Sequence, residues 1–515
     1  MADKKAHGPK SDILNEIKAS TKKCTASRKE SNKIIDIISY AESSEKDILL
    51  ACVRAFHKIF VQFLTTGEMF LETIPSDKTD KGLSKQVQYK IWLMDRYQDT
   101  VDRLVQLLES EYSSIQELAL CTLMKFVETE GKNPVTKISS KKSHFPVVMF
   151  MKVMKQLMNT ETNLQDLIGK FQEYLTYDDV RFHVLKSTMM DLKEKKNTMP
   201  GDVYLNNMFA VLERVTFPAS PEEKLTTFLT TLPDEDVQLK MSSLREQKRL
   251  FTTSWVTFLA FQLPTNLYRR SLIILHDKVM PYMTSPVMLC DFLTESYNIG
   301  GAISLLALNG IFVLVQKYNL DYPDFYGKLY ALFEPSIFHA KYRARFFYLA
   351  DLFLTSTHLP AYLVGAFAKR LARISLTAPP SGLTVSIPFI YNLIHRHPNC
   401  RILLHRTDGP SEVSEDPYDP SEPDPTKCRA MESCLWELKT LQSHFHPDVA
   451  RSAQRIDGEI QTTETDLSDL FEMSYDDLFD KETRKKVKFV PVNFETPKGL
   501  LGSKSDRMKL CWRLE

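Results

Sequence analysis

Glycine is scarce in this chain, 16 in 515 residues, well under the average usage of about 7%. Nucleotide-binding α/β folds and long antiparallel sheets need glycine turns, so the shortage favours helices. The eight cysteines, at 24, 52, 121, 290, 400, 428, 434 and 511, keep no framework spacing. That excludes a disulfide scaffold and fits reduced thiols in an intracellular compartment. The N-terminus, MADKKAHGPKSDIL, lacks the apolar core of a secretory signal. An excess of one charge is also missing, the formal net charge being +1. Catalytic motifs are absent too. The segment Gly499-Leu-Leu-Gly502-Ser-Lys504-Ser505 has the wrong spacing for a phosphate loop and no strand before it. No serine lies in a nucleophile elbow. His395, His397, Cys400 and His405 match no standard zinc spacing, and Pro398 with Arg396 and Arg401 suits a helix end better. The expectation is a protein without catalysis, cofactor or metal.

What the chain does have is helical periodicity. Its length allows two or three domain-sized cores, and its hydrophobic share of 43% and charged share of 25% are those of an ordinary soluble protein. Residues 1–30 are polar and Lys-rich and read as a mobile basic tail. From 31 to 283 the apolar residues recur at one-turn intervals in segment after segment. Ile48, Leu49, Cys52, Val53, Phe56, Phe60, Phe63 and Leu64 form one such face, and Tyr89, Trp92, Leu93, Tyr97, Val101, Leu104 and Leu108 another. Ile115, Leu118, Ala119, Leu123 and Val127 follow, with Ser113 and Ser114 as N-cap candidates and Gly131 as a stop. Helix after helix without strand alternation predicts an all-α solenoid of paired helices. No fixed period is legible, so a degenerate HEAT or armadillo-like array and an irregular helical domain both fit.

Beyond residue 284 the helices become longer and more apolar. Three uncharged runs, 296–316, 352–368 and 374–394, approach or reach the ~20 residues that span a bilayer. A helix buried among other helices is apolar on all sides and has the same composition, and that is the preferred reading here. Threaded through this region are nine Lys or Arg between 341 and 406 against one acid, Asp351. Lys341, Arg343 and Arg345 sit at a helix start, Lys369, Arg370 and Arg373 near a helix end, and Arg396, Arg401 and Arg406 close the block. Such grouping in a neutral protein points to internal pairing, to RNA or to an acidic partner segment. The sequence then changes sharply. Residues 407–427 hold seven acids, five prolines and one Lys, the composition of an extended linker rather than a core. Its carboxylates are the obvious intramolecular partners for the basic ends. Helices are expected again over about 429–443 and 466–479. The run Lys485-Lys486-Val-Lys488 has the form of a weak nuclear import signal.

The apolar block carries a family likeness. Asn298-Ile-Gly-Gly-Ala-Ile-Ser-Leu-Leu-Ala-Leu-Asn-Gly310, Tyr322-Pro-Asp-Phe-Tyr326, Lys341-Tyr-Arg-Ala-Arg-Phe-Phe347 and Ser356-Thr-His-Leu-Pro-Ala-Tyr362 begin it. Phe367–Arg373, Pro388–Leu393, His397–Cys400, Asp416–Asp419, Ser433–Leu438 and Leu441–Pro447 continue it. In order and spacing these resemble the CCAAT-binding-factor domain of the nucleolar complex protein family, here over residues 284–450, leaving 451–515 as a C-terminal helix and tail. Tyr89–Leu93, Leu118–Val127 and Tyr174–Phe182 extend the likeness into the N-terminal half. The resemblance implies a non-catalytic nucleolar assembly factor that pairs with nucleolar protein 14 in the small-subunit processome. It further implies a role in maturation of small-subunit rRNA and export of the pre-subunit. Any rRNA contact would be indirect or without sequence specificity. An integral protein of the nuclear envelope and a primary RNA-binding protein are the competing expectations. Lys341, Arg343, Arg345, Lys369, Arg370, Arg373, Arg396 and Arg401 are the candidate partner- or RNA-facing cations. Trp436, Leu438, Tyr322 and Phe325 are the candidate structural or partner anchors, with Trp436 expected to be buried against residues 341–405.

Overall fold

A computed structural model describes residues 10–72, 84–136, 144–218, 225, 227–231, 240–406, 415–458 and 463–485. Regular structure among them is helical, with no strand and one isolated bridge between Leu71 and Thr136. The fold is all-α, as the glycine shortage and periodicity lead one to expect. Two compact units divide the chain, Met1–Tyr322 and Pro323–Glu515. The division expected at 283/284 falls inside the first unit.

The first unit runs through α1 (Lys10–Ala26), α2 (Lys33–Tyr40), α3 (Lys46–Thr65), α4 (Lys85–Leu107), α5 (Ser113–Lys132), α6 (Val147–Leu157) and α7 (Gln165–Phe171). It continues with α8 (Asp178–Glu194), α9 (Asp202–Glu213), α10 (Leu244–Leu259), α11 (Thr265–Ile274), α12 (Cys290–Tyr297) and α13 (Gly301–Tyr318). Neighbours in sequence or nearly so pack together: α1 on α3, α3 on α5, α4 on α5, α8 on α10 and α12 on α13. The buried stripe of α3 (Phe56, Phe60, Phe63) is the one its periodicity marks out. Phe60 meets Tyr97 of α4 at 5.3 Å and Phe126 of α5 at 6.2 Å between ring centroids. Each such aromatic pair adds about 0.5–1.5 kcal/mol beyond burial. Residues 10–26, read from sequence as part of a mobile tail, form α1. Its Ile17, Ser20, Thr21 and Cys24 are buried, because the helix turns this sparse apolar set onto one face against α3.

The N-cap and stop expected for α5 are placed differently. The cap is Tyr112, without a side-chain bond, and Ser113 and Ser114 already lie inside the helix. Gly131 is in the last turn rather than beyond it. A Cβ there would come 2.6 Å from Cβ of Thr230, so glycine serves a close approach and not a helix stop. Thr230 is held by the start of α8. The Asp179 carboxylate, fully buried, accepts the backbone N–H groups of Leu229 at 3.0 Å and Thr230 at 2.9 Å and the Thr230 hydroxyl at 2.7 Å. Beside it Asp178 pairs with Arg181. Gln247 of α10 accepts from Arg181 Nε at 2.7 Å and donates to the Asp178 carbonyl at 3.1 Å. The block Tyr174–Phe182 thus ties a helix start, a loop and a neighbouring helix together.

The second unit contains α14 (Phe325–Ala331), α15 (Arg343–Phe353), α16 (Ala361–Ser375), α17 (Pro380–Arg396), α18 (Trp436–Leu441), α19 (Pro447–Gln454), α20 (Ser468–Phe471) and α21 (Tyr475–Thr483). Its core is a phenylalanine cluster: Phe333 lies 5.0 Å from Phe346 and 5.2 Å from Phe367, and Phe347 lies 5.8 Å from Phe389. The single helix expected over 429–443 is a short turn, Ala430–Glu432, followed by α18. The one expected over 466–479 is split into α20 and α21. Ser474 restarts the chain with a capping box, accepting from Asp477 N at 3.2 Å while Asp477 Oδ2 accepts from Ser474 N at 2.9 Å.

The uncharged runs resolve into helices of the two units. The run 352–368 crosses the turn between α15 and α16, and 374–394 crosses the turn between α16 and α17, so neither is one helix. Among the described residues two helices, Lys46–Thr65 and Gly301–Tyr318, are long and apolar enough to cross a membrane; 56% and 50% of their apolar windows are buried inside the protein. The first is not an uncharged run, since Arg54 and Lys58 interrupt it.

Asp179→Ala should destabilise the first unit, since it strands four buried donors, the backbone N–H groups of Val180, Leu229 and Thr230 and the Thr230 hydroxyl, at roughly 1–3 kcal/mol each. Thermal unfolding of the purified full chain would show a lowered first transition, with the second-unit transition unchanged.

Candidate functional site

The basic block begins with helix geometry. α16 is apolar on the face formed by Leu363, Val364, Ala366, Phe367, Leu371 and Ala372, and this face carries Lys369 inward with it. Lys369 is fully buried. The chain supplies three acceptors around its ammonium: the Cys434 carbonyl at 2.7 Å, Asp416 Oδ2 at 3.0 Å and Glu437 Oε1 at 2.7 Å. Glu437 is itself fully buried in the first turn of α18. Arg373, one turn on from Lys369, stands 3.8 Å from both Asp416 and Glu437.

Asp416 comes from the acidic segment that precedes α18. Burial opposes its ionisation. Hydrogen bonds from Ser433, Trp436 and Lys369 and from the Tyr418 backbone N–H outweigh that and hold its carboxyl well below the usual range. The Trp436 indole N–H reaches Asp416 Oδ2 at 2.8 Å. For Glu437 the balance differs: burial pushes the carboxyl up and the Lys369 charge opposes it only in part. Its oxygens make a close ion contact with Lys369 but no aligned hydrogen bond.

Trp436 is not buried as expected. It remains 37% exposed, its ring lying over Lys369 at 5.5 Å and Arg373 at 5.0 Å. The reason is helical register. Leu435, Leu438 and Leu441 take the buried stripe, Glu437 follows Lys369 inward, and the tryptophan covers the ion cluster from outside. Leu438 is a core residue, and so is Phe325, packed edge-on to Phe353 at 5.3 Å. Tyr322 is half-buried at the end of the first unit.

Most of the other cations are also engaged inside the second unit. Arg370 donates to the Phe333 carbonyl at 2.8 Å and stacks 4.5 Å from the Tyr330 ring. Arg396 takes the block's one acid, Asp351, at 2.7 Å, and Glu464 at 2.8 Å. Arg406 donates to the carbonyls of Met431 and Glu432. Arg343 donates to Ser381 Oγ at 2.9 Å and to the Met473 carbonyl, not to the linker. Lys341, Arg345 and Arg401 have no charged or hydrogen-bonded partner among the described residues. Sequence inspection grouped these nine by proximity in the chain, whereas burial divides them by helix face.

Among the described residues no group of three or more His, Cys, Asp or Glu could hold a metal. His397 is buried, which pushes its pKa down, and Cys400 points at the Ala361 carbonyl at 3.5 Å. Both serve packing. The segment 499–505 and the basic run from Lys486 lie outside the described residues.

Residues 304–453 match the CBF/Mak21 family, and residues 6–197 match the family described as nucleolar complex protein 4-like, TPR repeats. The chain is 46% identical to nucleolar complex protein 4 homolog B of Xenopus laevis, over 93% of this chain and 92% of the relative. It is 43% identical to nucleolar complex protein 4 homolog of Gallus gallus, over 95% and 97%, and 42% identical to that of Homo sapiens, over 93% of each.

Lys369→Met should destabilise the second unit by roughly 3–5 kcal/mol, because two carboxylates lose their buried counter-ion. Adding Glu437→Leu should restore much of that loss in a double-mutant cycle read by denaturant unfolding. The pH response separates the two acids. Glu437, raised above its ordinary value of 4.5, binds its proton more tightly folded than unfolded. Wild type should therefore lose stability relative to Glu437→Gln as pH rises from 4.5 through the folded value. Asp416 is depressed, so its contribution is present at neutral pH and is lost only as pH falls below about 4.

Proposed function

This chain belongs to the nucleolar complex protein 4 family, and we propose that it is a non-catalytic scaffold of the nucleolus. It pairs with nucleolar protein 14 and works inside the small-subunit processome, in maturation of small-subunit rRNA and export of the pre-subunit. The observation that carries this reading is likeness along the whole length, at 42–46% identity and with 92–97% of each of the three relatives covered. A likeness from end to end spans both matched regions of the chain rather than one module.

The architecture supports the same reading. Helices packed on their sequence neighbours give long surfaces for partner chains and few concave polar sites. We read the first unit as a HEAT- or armadillo-like array, the matching family being described in terms of TPR repeats. The cations that look like an RNA-binding surface in sequence are largely committed to internal acceptors, so direct rRNA contact is secondary and without sequence specificity.

Depletion in cells should lower mature small-subunit rRNA with large-subunit rRNA nearly unchanged, measured by pulse labelling and Northern blots. Equal loss of both species, or failure of the tagged chain to co-purify nucleolar protein 14, would overturn the proposal.

A further inference from the structure

A second concentration of positive charge lies in the first unit. Residues 18–33 hold six cations, Lys18, Lys22, Lys23, Arg28, Lys29 and Lys33, against one acid, Glu30. Folding gathers them over the second half of α1, the short turn Arg28–Glu30 and the start of α2. Ile17, Ser20, Thr21 and Cys24 take the inner face of α1. Lys18 and Lys22, one turn apart, are left outside with Lys23, and Arg28 and Lys29 are exposed beyond the helix end.

These cations differ from the block at 341–406 in what answers them. Glu68 pairs with Arg28 at 3.3 Å and Glu30 with Lys33 at 3.2 Å. Glu16, in the same helix, accepts from the Tyr40 hydroxyl at 2.8 Å. The ammonium groups of Lys18, Lys22, Lys23 and Lys29 meet no carboxylate or other acceptor among the described residues. Lys33 is moreover brought against Lys23, and this like charge pushes the Lys23 pKa down. A place in the last turn of α1 explains one favourable lysine through the helix dipole. It does not explain two ammonium groups held side by side on an open surface. An anion set against both would relieve that repulsion.

We propose that this face of the first unit holds the phosphate backbone of RNA without reading its sequence. Ammonium groups and hydroxyls are the side-chain groups that contact phosphates, and Ser27, exposed among the lysines, supplies a hydroxyl. Between residues 18 and 33 no large apolar side chain is exposed, and the segment has no aromatic residue. A protein partner would therefore miss the apolar anchor that carries most of the energy of a protein interface, and bases would miss a stacking platform. Four cations without partners suit a contact driven by counterion release. The inference rests on the reading that the chain works inside a pre-ribosomal particle. It moves the rRNA contact from the second-unit block, whose cations are largely engaged internally, to the first unit.

The test uses the purified full-length chain and a small-subunit rRNA fragment, with a mixed-sequence RNA of the same length for comparison. Lys18→Gln, Lys22→Gln, Lys23→Gln and Lys29→Gln together should weaken binding to both RNAs by about tenfold or more. They should also lower the slope of log affinity against log salt by about 3. The melting temperature should hold or rise, since no attractive pair is lost. Lys18→Gln with Lys29→Gln, giving about half the change in slope, carries the test should the four changes disturb folding. Lys341→Gln with Arg345→Gln and Arg401→Gln should leave RNA affinity nearly unchanged. An affinity unaltered by the four changes, or lowered more by the three in the second unit, overturns the inference. Loss of nucleolar protein 14 binding with RNA binding intact would reassign the face to a protein and overturn it too. Wild type that binds neither RNA overturns this surface and leaves the pairing with nucleolar protein 14 standing. Wild type that binds RNA through these lysines but does not co-purify nucleolar protein 14 overturns the pairing and not this surface.

Discussion

A lysine and a glutamate, both without solvent contact, sit 2.7 Å apart beneath Trp436 in the second unit. Asp416, Ser433, Cys434 and Trp436 are arranged around that pair. Taking two charges out of water costs several kcal/mol per ion, and their attraction repays it only when further polar groups complete the surroundings. Here Asp416 and the Cys434 carbonyl do so for Lys369, while Glu437 has the charges of Lys369 and Arg373 beside it and no aligned hydrogen bond. A polar return segment is thereby fixed to an apolar helix at one register. A slip of one turn would leave Lys369 buried and unpaired, so the pair specifies position more than it adds stability.

The same constraint decides what the rest of the basic block can do. Cations turned toward the core must meet acceptors inside the fold, and Lys369, Arg370, Arg373 and Arg396 do. Cations turned outward keep a free charge, which leaves Lys341, Arg345 and Arg401 among the described residues. A single stretch of sequence thus serves stability and surface chemistry through opposite faces of the same helices. Only the second set is available to a partner.

The first unit solves a related problem with a different device. Its helices bury ordinary apolar stripes, and the loop at 227–231 is held by the paired aspartates that open α8. A carboxylate at a helix start is favoured by the helix dipole. Here it also satisfies backbone donors of the loop, which would otherwise be buried without partners.

Periodicity and composition by themselves determined most of the helices, their apolar faces and the absence of strands among the described residues. Glycine shortage and the 3.6-residue rhythm of positions such as Phe56, Phe60 and Phe63 are local signals, and local signals survive in a one-dimensional text. The text also suggested that the acidic segment answers the basic block. It did not say which carboxylate meets which cation, and it placed Trp436 in the core. Only the tertiary structure decided those points. A tryptophan is ordinarily the residue to bury and a glutamate the one to expose. That preference reverses once Lys369, carried inward by its own helix sixty-eight residues earlier, requires a negative charge.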